Sequence, residues 1–203
     1  MRSYFIKTPW WLKKIYSSYW WSIATKKKEL YLTFDDGPHP TVTPFVLDML
    51  QQFNAKATFF CIGKNVMAHP EIYQRILDEG HRVGNHTQLH LNGWKTATAE
   101  YLEDTAMAAK YIDSKLFRPP YGRIKREQAR KMKEYTIVMW DVLSGDFDIN
   151  LSKEKCLYYV VRNTRPGSII VFHDSEKAFP RLEYALPSTL AYFTTQGFEF
   201  KHL

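Results

Sequence analysis

From residue 30 onward, short apolar runs alternate with longer stretches of helical periodicity, and few folds accommodate a chain built in that way. The apolar runs lie at 30–34 (LYLTF), 57–62 (ATFFCI), 82–85 (RVGN), 116–118 (LFR), 136–140 (TIVMW), 169–172 (IIVF) and 198–201 (FEFK). Helical patterns occupy 43–53, 71–79, 96–113, 125–133, 152–163 and 186–196. The first of these sets Val46, Leu47, Leu50 and Phe53 at helical spacing, and Gly80 and Gly197 stand where a helix hands over to the next strand. This is the rhythm of βα units around a parallel sheet, and 203 residues suit one such domain.

The charge distribution narrows the function. The chain carries a net charge of +7, which raises the question of nucleic acid. Residues 1–30 hold seven basic side chains against one acid, Glu29, so six of the seven net charges sit there and the rest of the chain is almost neutral. No nucleic-acid partner is expected. Cys61 and Cys156 are far apart and form neither a CxxC pair nor a disulfide framework. No apolar stretch approaches the ~18 residues of a membrane span. Lys7, Pro9, Lys13 and Lys14 interrupt any core of a cleavable signal peptide. The expectation is a monomer that is cytoplasmic, or peripheral at a membrane.

Polar residues collect at the ends of the predicted strands. Asp35 and Asp36 follow the first, His86 the third, Arg118 ends the fourth, Asp146 follows the fifth and His173 the sixth. In parallel α/β folds the carboxyl ends of the strands converge on one face, so these residues meet in one crevice. His86 and His90, spaced i, i+4, would share one side of a helical turn. Two histidines and one carboxylate from the DDG turn make the three-ligand set of a catalytic zinc site with an open position. Asp36 as a helix cap and His90 as a surface residue are the plainer readings of each taken alone.

The ordered segments TFDDGPHP (33–40), ATFFCIG (57–63), HTQLH (86–90), RPPYG (118–122), WDVLSGD (140–146) and IIVFHD (169–174) resemble the motifs of the polysaccharide deacetylase family, carbohydrate esterase family four. The resemblance runs from about residue 29 to the C-terminus. It implies a distorted (β/α)7 barrel and a metal-dependent hydrolysis of an N-acetyl group on an N-acetylated glycan. It assigns Asp36, His86 and His90 to the metal and Asp35 to the general base, with Arg118 holding that base ionised. The backbone N–H of Tyr121 becomes the oxyanion donor, braced by Pro119 and Pro120. His173 becomes the general acid, supported by Asp146. Zinc suits the N, N, O set, and cobalt or nickel also fits. The chain departs from the family pattern at Phe147, where a tryptophan usually walls the acetyl pocket, and in LNGWK after His90, which lacks a common proline.

Two alternatives stand beside the N-deacetylase reading. One is an O-acetyl esterase on an acetylated glycan, because ester and amide share a tetrahedral intermediate. The other is a non-catalytic glycan-binding or membrane-surface module. Residues 1–28 form a separate aromatic and basic segment, with Trp10, Trp11, Trp20 and Trp21 among its lysines. The spacing of Trp11, Leu12, Ile15, Tyr16 and Tyr19 predicts a helical face that packs on the bottom of the barrel. Peripheral association with anionic lipid is the alternative for the same residues.

Overall fold

The first apolar run becomes the central strand. In the computed structural model, which describes residues 4–203, β1 (Glu29–Asp35) is buried from Leu30 to Asp35. It pairs in parallel with β2 (Ala57–Cys61) on one side and β7 (Ile169–His173) on the other. Its register puts Asp35 opposite both Phe60 and His173, so the polar ends of these strands finish level. Beyond β2 come β3 (Arg82–Asn85), β4 (Leu116–Phe117) and β5 (Thr136–Ile137), and beyond β7 lies β6 (Val142–Leu143). Every one of these pairings is parallel. A last strand, β8 (Glu199–Phe200), pairs with the start of β1.

The two ends of this sheet, β5 and β6, are consecutive in the chain. The four residues between them reach at most ~18 Å, so the sheet must curl round on itself. The architecture is the parallel α/β barrel expected from the alternation. One correction concerns the run 136–140, read as a single strand. Only its first two residues form a strand, β5, because the carbonyls of Val138 and Met139 accept from the Arg118 guanidinium instead of a neighbouring strand (3.2 and 3.0 Å). Ile137 O accepts from Trp20 N and Met139 N donates to Trp20 O.

Helices cover the outside: α2 (Val42–Gln52), α3 (Gly63–Ala68), α4 (Pro70–Asp78), α5 (Thr98–Ala108), α6 (Arg126–Lys131), α7 (Lys153–Asn163) and α8 (Phe179–Thr195). The main core lies between β1, β2 and β7 and the apolar faces of α2, α7 and α8, with Phe34, Phe59 and Phe172 stacked at its centre. α3 is a helix the sequence reading did not anticipate. α8 starts seven residues before the expected 186, because Pro187 reads as a helix start. The burial of Leu182, Ala185, Leu186, Leu190 and Phe193 carries the helix through that proline.

Residues 4–28 run along the outer edge of 137–143. Leu143 N donates to Ile6 O, Thr8 N to Asp141 O, and Ile23 N to Gly167 O. The expected apolar helix face is only partly realised. The first helix, α1 (Trp10–Ile15), is six residues long. Leu12, Tyr16 and Tyr19 pack against the cluster of Trp21, Phe117 and Met139, while Trp11 and Ile15 point outward and Trp10 is 74% exposed. Register explains the difference. Lys13 and Lys7 both reach the buried Asp141, Lys7 at 2.5 Å, and that ion-paired anchor turns the helix so that Trp11 faces solvent. Among the described residues no helix is long and apolar enough to cross a membrane.

Asp141 is the keystone of this attachment, since it also accepts from Ser168 Oγ (2.6 Å). Burial pushes its carboxyl up, but the hydrogen bonds from Lys13, Lys7 and Ser168 prevail and hold it below the usual range. A depressed carboxylate contributes stability that is present above its unfolded pKa of about 3.9 and lost as pH falls through the folded value. Asp141→Asn is therefore expected to cost about 1–3 kcal/mol at pH 7 in urea unfolding. The gap to wild type should close in acid below about pH 4.

Candidate metal and catalytic centre

The polar strand ends meet as the parallel topology requires. Asp36 follows β1 in the left-handed region (φ 84), so its side chain turns back over the barrel mouth while Asp35 stays aligned with the strand. The turn is fixed from below. Asp174, just after β7, accepts from Gly37 N (3.0 Å) and Thr43 Oγ1 (2.5 Å). A Cβ on residue 37 would lie 2.0 Å from Asp174 Oδ2, which is why this position is glycine. Burial pushes the Asp174 carboxyl up to about 8 despite these donors. Asn65 Nδ2 donates to Asp36 O (2.7 Å) and completes the clamp.

His86 and His90 do not lie on a helix, which corrects the i, i+4 argument. Residues 86–90 form an irregular loop in which Thr87 (φ 66) and His90 (φ 59) are left-handed. Two backbone reversals bring the imidazoles together, with ring centroids 5.0 Å apart. The loop is tied down by Asp104 of α5, whose Oδ2 accepts from Gln88 N (2.8 Å) and Leu89 N (3.2 Å).

The donor atoms of Asp36, His86 and His90 all lie within 4.8 Å of one another. Asp36 Oδ1 is 3.3 Å from His90 Nε2 and 3.8 Å from His86 Nε2. That oxygen is buried and has no hydrogen-bond partner among the described residues. His86 Nδ1 lies 2.7 Å from Arg118 O, a pure acceptor, so Nδ1 carries the hydrogen and Nε2 turns a bare lone pair toward Asp36. Burial pushes both imidazoles below the ordinary histidine range, against the pull of Asp36, so both are neutral at pH 7. An orphaned carboxylate oxygen facing two imidazole lone pairs fits a divalent cation.

Two ion pairs flank the cluster. Arg118 is fully buried and donates through Nη1 to Asp35 Oδ1 (2.6 Å) and Thr33 Oγ1 (2.7 Å). On the other side, His173 Nδ1 lies 2.7 Å from Asp146 Oδ1, and His173 N donates to Asp146 Oδ2 (2.7 Å). Burial works against the imidazolium, but the charge and hydrogen bond of Asp146, helped by Asp36 and Asp35, raise His173 to about 9. The Tyr121 (φ 60) ring lies 4.6 Å from that of His90, tilted by 55°, and is 61% exposed at the mouth, while the amides of Gly122 and Arg123 are taken by Pro119 O and Pro120 O. Phe147 meets His173 edge-on at 5.2 Å. All nine residues singled out from sequence thus lie at or beside one strand-end face.

Sequence reasoning missed Asp104, Asp174, Thr43, Asn65 and Tyr4, whose ring lies 5.1 Å from Phe147. Asp174 was within sight, since a second carboxylate directly after His173 at the end of an apolar strand has little reason to be buried unless it accepts hydrogen bonds. Asp104 and Tyr4 carry no local signal.

Comparison with known proteins places this geometry. The profile described as polysaccharide deacetylase matches residues 22–140, which includes Asp35, Asp36, His86, His90, Arg118 and Tyr121. A peptidoglycan-N-acetylglucosamine deacetylase of Bacillus cereus is 36% identical over 189 residues, 89% of this chain and 88% of that protein. A chitooligosaccharide deacetylase of Azorhizobium caulinodans is 34% identical over 161 residues, 75% and 76% of the two chains. The crystal structure of the Bc1960 peptidoglycan N-acetylglucosamine deacetylase superposes with a TM-score of 0.85 at 34% identity, over 97% of this chain and 95% of that one.

The cluster leads to a direct metal test. Protein stripped with chelator is expected to take up one equivalent of zinc per chain, seen by elemental analysis after desalting. His86→Ala should lower retained zinc at least about tenfold while leaving the far-ultraviolet spectrum unchanged.

Proposed function

The chain belongs to the polysaccharide deacetylase family, and from that membership and the site geometry we propose that it hydrolyses the N-acetyl group of N-acetylglucosamine residues in a peptidoglycan-type or chitooligosaccharide glycan. Asp36, His86 and His90 would hold the metal, with zinc as our assignment and cobalt or nickel as substitutes. A divalent ion bound there supplies a Lewis acid for the acetyl carbonyl and for the pKa of water.

The remaining work belongs to the protein. Asp35 is the base. Arg118 holds its Oδ1, which leaves Oδ2 to take the water proton as oxygen attacks the acetyl carbon. The Tyr121 N–H donates to the oxyanion as it forms, from a turn whose two prolines restrict motion. His173, with Nδ1 on Asp146, presents its other nitrogen to the substrate and delivers a proton to the departing amine, so acetate and a free amino sugar result. Phe147 packs the acid from the apolar side. The observation that carries this reading is the placement of base and acid, each in its own ion pair, on either side of the Asp36, His86 and His90 cluster.

An acid poised as high as His173 matters for an amine leaving group and little for an alkoxide, and this favours the amide over the ester reading. Acetate release should be measured on peptidoglycan, chitooligosaccharides and acetylxylan alongside metal content. Release from the first two but not acetylxylan is expected. Release from acetylxylan alone overturns the amide assignment, and no release from metal-loaded protein overturns catalysis.

Two variants separate the roles. Asp35→Asn is expected to keep its metal and lose about 10²–10⁴-fold in kcat. Asp146→Asn removes what raises His173 and leaves burial to lower it, so the alkaline limb of the kcat/KM profile should move from near pH 9 toward neutrality. An unmoved limb contradicts the acid assignment.

A further inference from the structure

We propose that Tyr4 is a specificity-determining residue of the acyl pocket, acting by bracing Phe147 against His173. This rests on the deacetylase reading above and adds a residue that lies outside the span matched by the family profile, as Phe147 does.

The three rings form a continuous row of contacts. Tyr4 meets Phe147 with centroids 5.1 Å apart and planes at 59°, and Phe147 meets the His173 imidazole edge-on at 5.2 Å and 75°. Tyr4 is held at both ends. Its hydroxyl donates to Asp148 Oδ2 (2.7 Å), the residue after Phe147. Its backbone is carried by the segment alongside β6, where Leu143 N donates to Ile6 O (2.8 Å) and Lys7 bridges Val142 in antiparallel sense. The same hydroxyl sits over Gly145, where a Cβ would lie 3.3 Å from Tyr4 Oη and 3.6 Å from Ile6 Cδ1. Tyr4 therefore packs on the turn 144–148, which also presents Asp146 to His173.

The physical role follows from the size of residue 147. The motif that this segment resembles carries an indole at this position, a broader surface than a phenyl ring. A phenyl ring is smaller and half-buried here, and without support on its outer side it could swing away from the acid. Tyr4 occupies that outer side. It makes the wall a two-ring assembly and fixes how much acyl volume fits between Phe147 and the base. Touching Phe147 and not the reacting atoms, Tyr4 is a positioning residue whose loss should change acyl selectivity as well as rate.

The test compares kcat/KM on N-acetyl and N-propionyl chitooligosaccharides for wild type, Tyr4→Phe, Tyr4→Ala and Tyr4→Ala combined with Phe147→Trp, each with its metal content and melting temperature. Tyr4→Phe keeps the ring and should stay near wild type. Tyr4→Ala should lose about tenfold on the N-acetyl substrate and less on the N-propionyl one, so the propionyl-to-acetyl ratio rises at least about threefold. The indole in the double variant should bring the ratio back toward wild type. Should Tyr4→Ala lose its metal or its cooperative melting, Tyr4→Leu carries the same comparison. Equal losses on both substrates, or no loss, overturn the proposal and leave Tyr4 a structural residue. A wild type that releases neither acyl group overturns the deacetylase reading, and this inference with it; an active wild type with an unchanged Tyr4→Ala ratio overturns this inference alone.

Discussion

A guanidinium buried in the barrel mouth ties the fold to the chemistry. Arg118 joins three separate pieces of chain: its guanidinium donates to the Thr33 and Asp35 side chains on β1 and to the carbonyls of Val138 and Met139, while its own carbonyl orients His86. Its charge lies 4.1 Å from the Phe60 ring centre. Burial lowers the pKa of a cation in such a place, and Asp35 opposes the effect with its charge and hydrogen bond. The pair is held together by mutual need, since leaving either charge buried alone costs about 3–5 kcal/mol. Asp35 therefore cannot be moved without disturbing the strand closure, and His86 is tied to the same residue through the Arg118 carbonyl.

Around this centre a repeated device positions each functional loop. A buried aspartic side chain sits beneath it and accepts backbone N–H groups: Asp174 under the Asp36 turn, Asp104 under the loop 86–90, and Asp146 under the His173 strand end. Such bonds are directional and costly to leave unmade in a buried place. They hold residues 36, 87 and 90 in left-handed conformations that non-glycine residues seldom adopt, each costing of the order of 1–3 kcal/mol when unsupported. Much of the strain in the molecule thus gathers at the Asp36, His86 and His90 cluster and is offset locally.

What the sequence made legible was whatever a periodic pattern or a strand end announces. The runs at 30–34, 57–62 and 169–172 are strands because they are buried on both faces, and their carboxyl ends had to carry Asp35, Asp36 and His173 to one face. What it hid was long-range. The run 136–140 looks like any strand until Arg118, some twenty residues earlier, claims two of its carbonyls. Nothing in YLEDT (101–105) tells which helix acid will lie under a distant loop, so Asp104 was invisible. The face of Trp11 and Ile15 failed because periodicity says which residues share a side and not which side a partner such as Asp141 will select. Tyr4 is the extreme case, more than a hundred and forty residues from the ring it supports.

The closure between β5 and β6 has a dynamic consequence. The backbone groups of 137–143 that do not pair with β4 or β7 are shared among Trp20, Thr8, Ile6 and a side chain. When the strap of residues 4–8 peels away, the amide of Leu143 loses its acceptor while the core beneath α8 stays packed. The barrel thus has one stave that can loosen on its own, and it is the stave that carries the turn to Asp146. Amide exchange at Leu143 would run ahead of exchange in β1 and β7, and gentle heating would silence the protein through this partial opening before any cooperative unfolding of the core.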